Sequence, residues 1–305
     1  MFLPHDSSAH VIAPSVSVIV PCYNSERTIR ACLGALLNQQ TPIPYDVTVV
    51  DSSTDQTPDI VAREFPSVRL IHLTKRAYGG AARNVGIRAT RAPYCLMIDS
   101  DCVASPDVID RVIARHREAR HPAVGGSLRN GTPRSLSGWV GYLIEFKDFM
   151  PSAPMRLTWT VPPANLAYRR ETFERHGCFD DDVWLGEDIL FHWKLYSAGE
   201  PILFDPAIQV THLNRTGWRT VLGYQVDLGR HSALARRRGG LPGSYLVRYP
   251  MLIPLLPFAR LARAAASLIR HDLQAFLVFL LVWPMYLLAA AFWSFGFFQG
   301  AVNKR

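Results

Sequence analysis

The spacing of apolar positions changes several times along the chain, and each change marks an element. Ser17-Val18-Ile19-Val20-Pro21 is a β-branched run closed by proline, which predicts a buried strand. From Asn24-Ser25-Glu26 onward, Ile29, Leu33, Leu36 and Leu37 fall on one face of a helix. Asp46 to Asp51 predicts a second strand, followed by a Ser/Thr/Asp turn and a helix through Ile60 and Val61. Val68 to Leu73 predicts a third strand, Gly79 to Ala89 a helix after a Gly-Gly entry, and Tyr94 to Asp99 a fourth strand. Short alternation of this kind predicts an α/β unit with a mostly parallel sheet over the first ~120 residues.

Alternation then stops. Residues 125–165 are rich in Gly, Pro, Trp and Phe and are expected to form a covering lobe. Helical periodicity returns over Asp188 to Leu195, and strands are expected at Ile202-Leu203-Phe204 and from Ala207 to His212. Beyond Leu241, Met251 to Ala259 is apolar but broken by Pro254 and Pro257, which suits a re-entrant or in-plane segment, or a poor span. Ala275 to Phe298 carries no charge and only Pro284 as a breaker, enough to cross ~30 Å of hydrocarbon or to form a buried core helix. Lys304-Arg305 prefers the cytosolic side, which favours a hairpin or an in-plane pair over one crossing.

The formal charge of +8 asks for an anionic partner. Arg230, Arg236, Arg237, Arg238, Arg248, Arg260, Arg263 and Arg270 lie beside the apolar runs of the last quarter, which suits a membrane surface. No basic stripe interleaved with aromatics is present, so nucleic acid is not expected as a partner. The five cysteines lack zinc spacing, and Cys22, Cys32, Cys95 and Cys102 sit in or beside apolar stretches, as reduced buried thiols do. Met1 to Pro14 does not read as a signal peptide.

Carboxylates gather at the ends of expected strands, where open α/β sheets bind ligands. Asp51 ends the second, and Asp99 ends the fourth with Asp101 two residues on. Two acids there repel each other unless a cation or donors neutralise them, and hard oxygen ligands so spaced can share Mg²⁺ or Mn²⁺. The plainer alternative is a turn that caps the helix begun at Ser105-Pro106-Asp107. Gly79-Gly80 and Gly86 do not give dinucleotide-loop spacing.

Five segments in order carry a resemblance to the family 2 glycosyltransferases, which have the GT-A fold. They are Val18-Ile19-Val20-Pro21-Cys22-Tyr23-Asn24; Val49-Val50-Asp51-Ser52-Ser53-Thr54-Asp55; Gly79-Gly80-Ala81-Ala82-Arg83-Asn84-Val85-Gly86; Ile98-Asp99-Ser100-Asp101; and Gly186-Glu187-Asp188, flanked by Asn165-Leu166-Ala167-Tyr168-Arg169-Arg170 and Val210-Thr211-His212. The second departs from the family's commoner form, lacking one residue and its glycine.

The resemblance implies a nucleotide pocket at Pro21, Tyr23, Asn24 and Asp51, with donor contacts from Arg83, Asn84, Asp99 and Asn165. Arg169 and Asn165 would lie near the donor sugar. It implies a divalent metal, Mg²⁺ or Mn²⁺, at Asp101, Asp99 and His212, with Asp101 the direct ligand and Asp99 on ribose. Asp188 would be the general base, with Glu187 orienting it or binding acceptor. Each has a plainer alternative: Tyr23 as packing, Arg83 as a solvated helix residue, His212 as a structural strand-end histidine. Glu187-Asp188 would also suit the positive end of a helix, a compatible role.

The expected domains are a tail over 1–14, a GT-A domain over 15–235 and a membrane-associated helical tail over 236–305. The GT-A domain divides into a nucleotide-binding half (15–124) and an acceptor half (125–235). The expected partners are a nucleotide-sugar donor (a UDP-sugar by default), a lipid-linked or glycan acceptor, and membrane lipids. The resemblance implies an inverting transferase on the cell inner membrane with a cytoplasmic catalytic domain. Competing readings are a non-catalytic sugar-nucleotide-binding scaffold and a nucleotidyltransferase, the latter lacking the Gly- and Lys-bearing loop it needs near Pro21.

Overall fold

The computed structural model describes residues 13–303, so most of the Met1 to Pro14 segment and Lys304-Arg305 lie outside the described residues. Strands β1 (Val16–Cys22), β2 (Tyr45–Asp51), β3 (Arg69–His72) and β4 (Tyr94–Ile98) alternate with helices α1 (Ile29–Leu37), α2 (Thr57–Glu64) and α3 (Gly79–Ala89). All four strands pair in parallel, in the order β3-β2-β1-β4. Val18, Val20, Val49, Leu96 and Ile98 face one core and Ile19 and Met97 the other, so both sheet faces are covered, as a parallel sheet requires. The register sets Cys22 opposite Asp51 and Ile19 opposite Met97, bringing the ends of β1, β2 and β4 to one sheet edge.

The chain continues through β5 (Cys102–Ala104), α4 (Val108–Glu118), β6 (Ala123–Asn130), α5 (Leu136–Phe146), β7 (Arg156–Thr158), β8 (Asn165–Arg169), α6 (Arg170–His176), α7 (Glu187–Ser197) and β9 (Ile202–His212). Antiparallel β8 joins β4 to β6, and β9 runs parallel to β6. The nine-stranded sheet is thus mixed, with its parallel part formed by β3, β2, β1 and β4.

Three expectations need correction here. The region after 125 does not merely cover the sheet, because β6 enters its middle and α5 packs below it. The Gly125-Gly126 pair inside β6 is a packing device: a Cβ on Gly126 would stand 2.0 Å from the Ile208 carbonyl oxygen. There β9 bulges, its register jumping between Gly126 and Ser127, so Asp205-Pro206 lies inside one strand rather than between two. Helix α1 begins at Ile29, not at Asn24, whose φ of 51° belongs to a turn.

The last third is helical: α8 (Trp218–Gly239), α9 (Tyr245–Arg248), a 3₁₀ turn over Pro250–Leu255, α10 (Leu256–His271) and α11 (Leu273–Val302). Asp272 caps α11 by accepting from the Ala275 N–H at 2.9 Å, worth about 1 kcal/mol. The expected boundary at 235/236 falls inside α8, so it does not separate structural units. Helices α8 and α11 cross at near backbone contact: a Cβ on Gly296 would lie 1.9 Å from the Val226 oxygen, and one on Gly229 1.9 Å from the Trp293 oxygen.

Candidate active site

The sheet edge formed by β1, β2 and β4 carries the groups that sequence reasoning singled out. Pro21 is buried at the end of β1, and Tyr23 stands beyond it, 37 % exposed. The Arg76 guanidinium lies 4.2 Å from the Tyr23 ring centroid and covers that face. Asn24 accepts from the Thr54 N–H at 2.9 Å, and its own N–H donates to Ser53 Oγ at 2.7 Å, locking the two loops together.

Asp51 is fully buried. It accepts from Ser53 N and Ser53 Oγ, and lies 2.7 Å from His72 Nδ1. Expected as an acid facing a base, it instead holds Ser53 and His72 in place, and His72 is the exposed member of that group.

Arg83 is the hub of the site. Its Nη2 donates to Asp99 Oδ1 at 2.7 Å and its Nη1 to Glu187 Oε1 at 2.8 Å, with 5 % of the side chain exposed. Burial pulls its pKa down, but Asp99, Glu187 and Asp188 together carry it above the ordinary arginine value. It is therefore no solvated helix residue. It ties the Asp99 strand end to the first turn of α7, about a hundred residues away.

At that turn, burial raises the pKa of Glu187, and the adjacent Asp188 raises it further. Burial likewise raises the Asp188 pKa, against the opposing pull of Arg83. Among the described residues no side chain donates to Asp188, which is half-buried at the N-terminal end of α7. A carboxylate left without a side-chain partner and with raised basicity suits proton abstraction.

The third group is Asp101 with His212, where β5 pairs with the end of β9. Two main-chain groups determine its protonation. The Thr132 N–H donates to Asn130 Oδ1 at 2.9 Å, which in turn accepts from Asn214 Nδ2 at 2.8 Å. That same Nδ2 donates to the His212 carbonyl at 3.1 Å. The other Asn214 atom is therefore oxygen, and it lies 2.9 Å from His212 Nδ1, which must carry the proton. In the neutral ring this tautomer leaves His212 Nε2 as a lone pair, which faces Asp101 Oδ1 at 3.5 Å.

Two facing acceptors call for a cation between them. Asp101 and His212 would hold a hard divalent ion there. Cys102 completes the local cluster, but burial raises its pKa well above the usual thiol value, so it remains a protonated thiol and a poor ligand for such an ion. Asp99 is turned toward Arg83 rather than His212.

Several expected donor contacts lie elsewhere. Asn84 donates to the Phe179 carbonyl at 2.8 Å and to Asp181 at 2.7 Å, fastening the loop before α7. Asn165 is buried in the sheet and donates to the Ser127 and Ile208 carbonyls at 3.2 and 3.0 Å, closing the β9 bulge. Arg169 bonds the carbonyls of His116 and His121, holding the turn after α4. Asn84 and Arg169 are thus tied into the scaffold by these bonds, as is the Asn165 amide nitrogen, whereas Asn165 Oδ1 is buried with no hydrogen-bond partner among the described residues.

Sequence reasoning also missed some residues. Glu145, Arg215 and Tyr224 line a small cavity beside His212, with Arg215 packed 4.0 Å over the Tyr224 ring. Burial raises the pKa of Glu145. The available signal was the dense His212-Leu213-Asn214-Arg215 run.

Comparison with known proteins follows the same residues. The model of "Glycosyl transferase family 2" matches residues 17–177, more than half of the chain. The succinoglycan biosynthesis protein ExoO of Rhizobium meliloti is 40 % identical over 225 residues, 67 % of this chain and 62 % of that protein. EpsJ of Bacillus subtilis, an uncharacterized glycosyltransferase, is 30 % identical over 236 residues, 72 % of this chain and 66 % of its own. The validoxylamine A glucosyltransferase of Streptomyces hygroscopicus subsp. limoneus is 28 % identical over 64 % of this chain, a stretch that spans half of the relative.

Among solved structures, the mannosyltransferase PcManGT of Pyrobaculum calidifontis superposes with a TM-score of 0.62 at 23 % identity, covering 97 % of this chain and 89 % of that one. Residues 1–349 of S. aureus TarS give 0.53 at 20 %, covering 94 % and 90 %. These likenesses show the GT-A fold. The chain spans half to two thirds of the length of these curated relatives, and with the family's model matched across the sheet edge that gathers Tyr23, Asp51, Arg83 and Asp101, it belongs to glycosyl transferase family 2.

Proposed function

We propose that this enzyme transfers a sugar from a nucleotide-diphosphate donor to a lipid-linked or polysaccharide acceptor at a membrane surface, with inversion at the anomeric carbon. The observation that carries it is the separation of roles around Arg83. One side presents Asp99 and the Asp101–His212 acceptor pair, the other Glu187 and Asp188.

The donor nucleotide would sit at the sheet edge between Tyr23, Asn24 and the Asp51–His72 group, with Asp99 reaching the ribose. Asp101 and His212 would hold Mg²⁺ or Mn²⁺, which when bound supplies Lewis-acid charge to the departing diphosphate. Arg83 fixes Asp99 and Glu187 in one frame. Asp188 takes the proton of the acceptor hydroxyl as its oxygen bonds the anomeric carbon and the bond to the diphosphate oxygen breaks. One displacement from the face opposite the leaving group inverts the centre.

Named relatives support the donor class. TarS has been solved with UDP-GlcNAc, and PcManGT with GDP-Man and Mn²⁺. The acceptor reading draws on the succinoglycan protein and on a poly(ribitol-phosphate) beta-glucosyltransferase among the relatives. A uridine nucleotide is the default donor, and the apolar helices α10 and α11 support the membrane setting; the active site would face the cytoplasm.

A panel of nucleotides with and without Mn²⁺, read by thermal shift, would identify the donor. Asp188→Asn should then lose donor turnover by 10²-fold or more while nucleotide still shifts the melting temperature. Undiminished turnover in that variant would refute the assignment.

A further inference from the structure

Helix α11 is apolar on all sides, so composition alone leaves open whether it crosses a membrane. Its burial pattern is more informative. Val282, Tyr286, Ala289, Trp293, Phe297 and Ala301 recur every three or four residues and are buried against the protein. Leu273, Leu277, Leu281, Leu288, Phe295 and Phe298, spaced by one or two helical turns, lie on the opposite face and are exposed, Leu281 to 74 %. The inner face is thus covered from Ala275 to Ala301, about 39 Å at 1.5 Å per residue. No stretch of α11 is free of the catalytic unit for the ~30 Å that a crossing needs.

The partner on that inner face settles which side lies in water. Over its second half α11 packs on α8, backbone to backbone at Gly229 and Gly296. Arg230 of α8 donates to Gln299 at 2.6 Å, and Arg237 donates to the Gly300 and Asn303 carbonyls at 3.0 and 2.7 Å. If α11 crossed the bilayer, Asp227, Arg230, His231 and Arg237 would be drawn into hydrocarbon with it, and intramembrane charges of this kind are strongly disfavoured.

Helix α10 repeats the pattern in amphipathic form. Leu255 in the preceding turn, Phe258 and Ile269 are exposed along one face, and Arg263 and Arg270 flank it. The two apolar stripes meet in an open groove of about 600 Å³ between Pro254 and Phe258 on one side and Leu288, Phe295 and Phe298 on the other.

We propose that α10 and α11 lie in the plane of one leaflet of an anionic phospholipid bilayer and that neither helix crosses it. The stripe from Leu273 to Phe298 and the groove sit at the acyl boundary, and Arg263 and Arg270 meet headgroup phosphates. The proposal rests on the membrane setting given above and specifies its geometry.

The test uses the purified full chain carrying Cys178→Ser, since the other four cysteines are buried. Single cysteines introduced by Leu277→Cys, Leu288→Cys and Phe298→Cys carry a depth-sensitive fluorophore on phosphatidylglycerol/phosphatidylcholine vesicles, quenched by spin-labelled lipids. All three labels should report one shallow depth, about 5–10 Å into the leaflet. Phe258→Lys with Leu281→Lys should cut vesicle flotation at least tenfold, and pure phosphatidylcholine should bind more weakly than the anionic mixture. A Leu288 label at mid-bilayer, with Leu277 and Phe298 at opposite faces, would overturn the in-plane geometry while leaving the membrane setting intact. Absence of flotation on anionic vesicles, or a stable dimer closing the stripe in solution, would overturn both.

Discussion

Arg83→Met isolates the electrostatics of the site from its chemistry. The methionine keeps most of the volume and removes both ion pairs, at 2.7 Å to Asp99 and 2.8 Å to Glu187. Asp99, with 30 % of its side chain exposed, can take up water in compensation. Glu187, at 7 %, cannot. Breaking one side of a buried pair costs about 3–5 kcal/mol because it strands the other charge. That corresponds to a melting-temperature loss on the order of 10 °C for a chain of this size.

The stranded carboxylate also gives a pH signature. Burial already holds the Glu187 pKa above its ordinary value, and losing the Arg83 cation raises it further. A raised carboxyl pKa means that the folded state binds more protons than the unfolded, so stability falls as pH rises through that range. The variant should thus melt highest near pH 5 and lose stability toward pH 8, more steeply than the parent. Adding Glu187→Gln should flatten the slope and recover most of the loss at pH 8. Scanning fluorimetry across pH on these three proteins measures it. A loss below about 1 kcal/mol, or the same slope with and without Glu187→Gln, would refute the hub role of Arg83.

Three other outcomes follow from the geometry. Asn214→Leu should weaken Mn²⁺ binding about 10–100-fold, as loss of a histidine's orienting partner does, whereas Asn130→Asp keeps the acceptor and should stay within a few-fold of the parent; titration of free Mn²⁺ by electron paramagnetic resonance reads both. The acid limb of kcat/KM should lie above the usual aspartate range, because burial raises the Asp188 pKa and its protonated form cannot act as base; a limb near pH 4 would contradict this. Gly296→Leu should destabilise the chain by at least about 3 kcal/mol, since its side chain would need the space of the Val226 carbonyl, and unfolding in denaturant checks it.

Much of this was legible in the sequence. The α/β alternation over the first ~120 residues read correctly because each strand is a short apolar run and each helix has its own period. The resemblance also named Arg83, Asp99, Asp101, Glu187, Asp188 and His212, which fold into one neighbourhood. What failed depends on tertiary contacts. Gly125-Gly126 reads as part of a covering lobe unless the β9 bulge is known to press on it. Asn84 and Asn165 look free to meet a ligand until the carbonyls they serve are in place. Asn130 and Asn214 carry no motif at all; their importance appears only when two backbone groups fix which atom is oxygen. Helix α8 was missed because its buried face is small and polar, with Gln225, Gly229 and Ala233 where a periodic apolar stripe would be sought.

The packing of α11 on α5 and α8 has a practical consequence for making this protein. Val140, Leu143 and Ile144 of α5 belong to the same hydrophobic cluster as Phe279, Val282 and Tyr286. A fragment ending before α10 would not be the enzyme without its anchor; it would be an enzyme with one wall of its interior removed. Such a fragment should be recovered as aggregate, and screening for crystals or inhibitors calls for material that retains α10 and α11 and is kept in amphiphile.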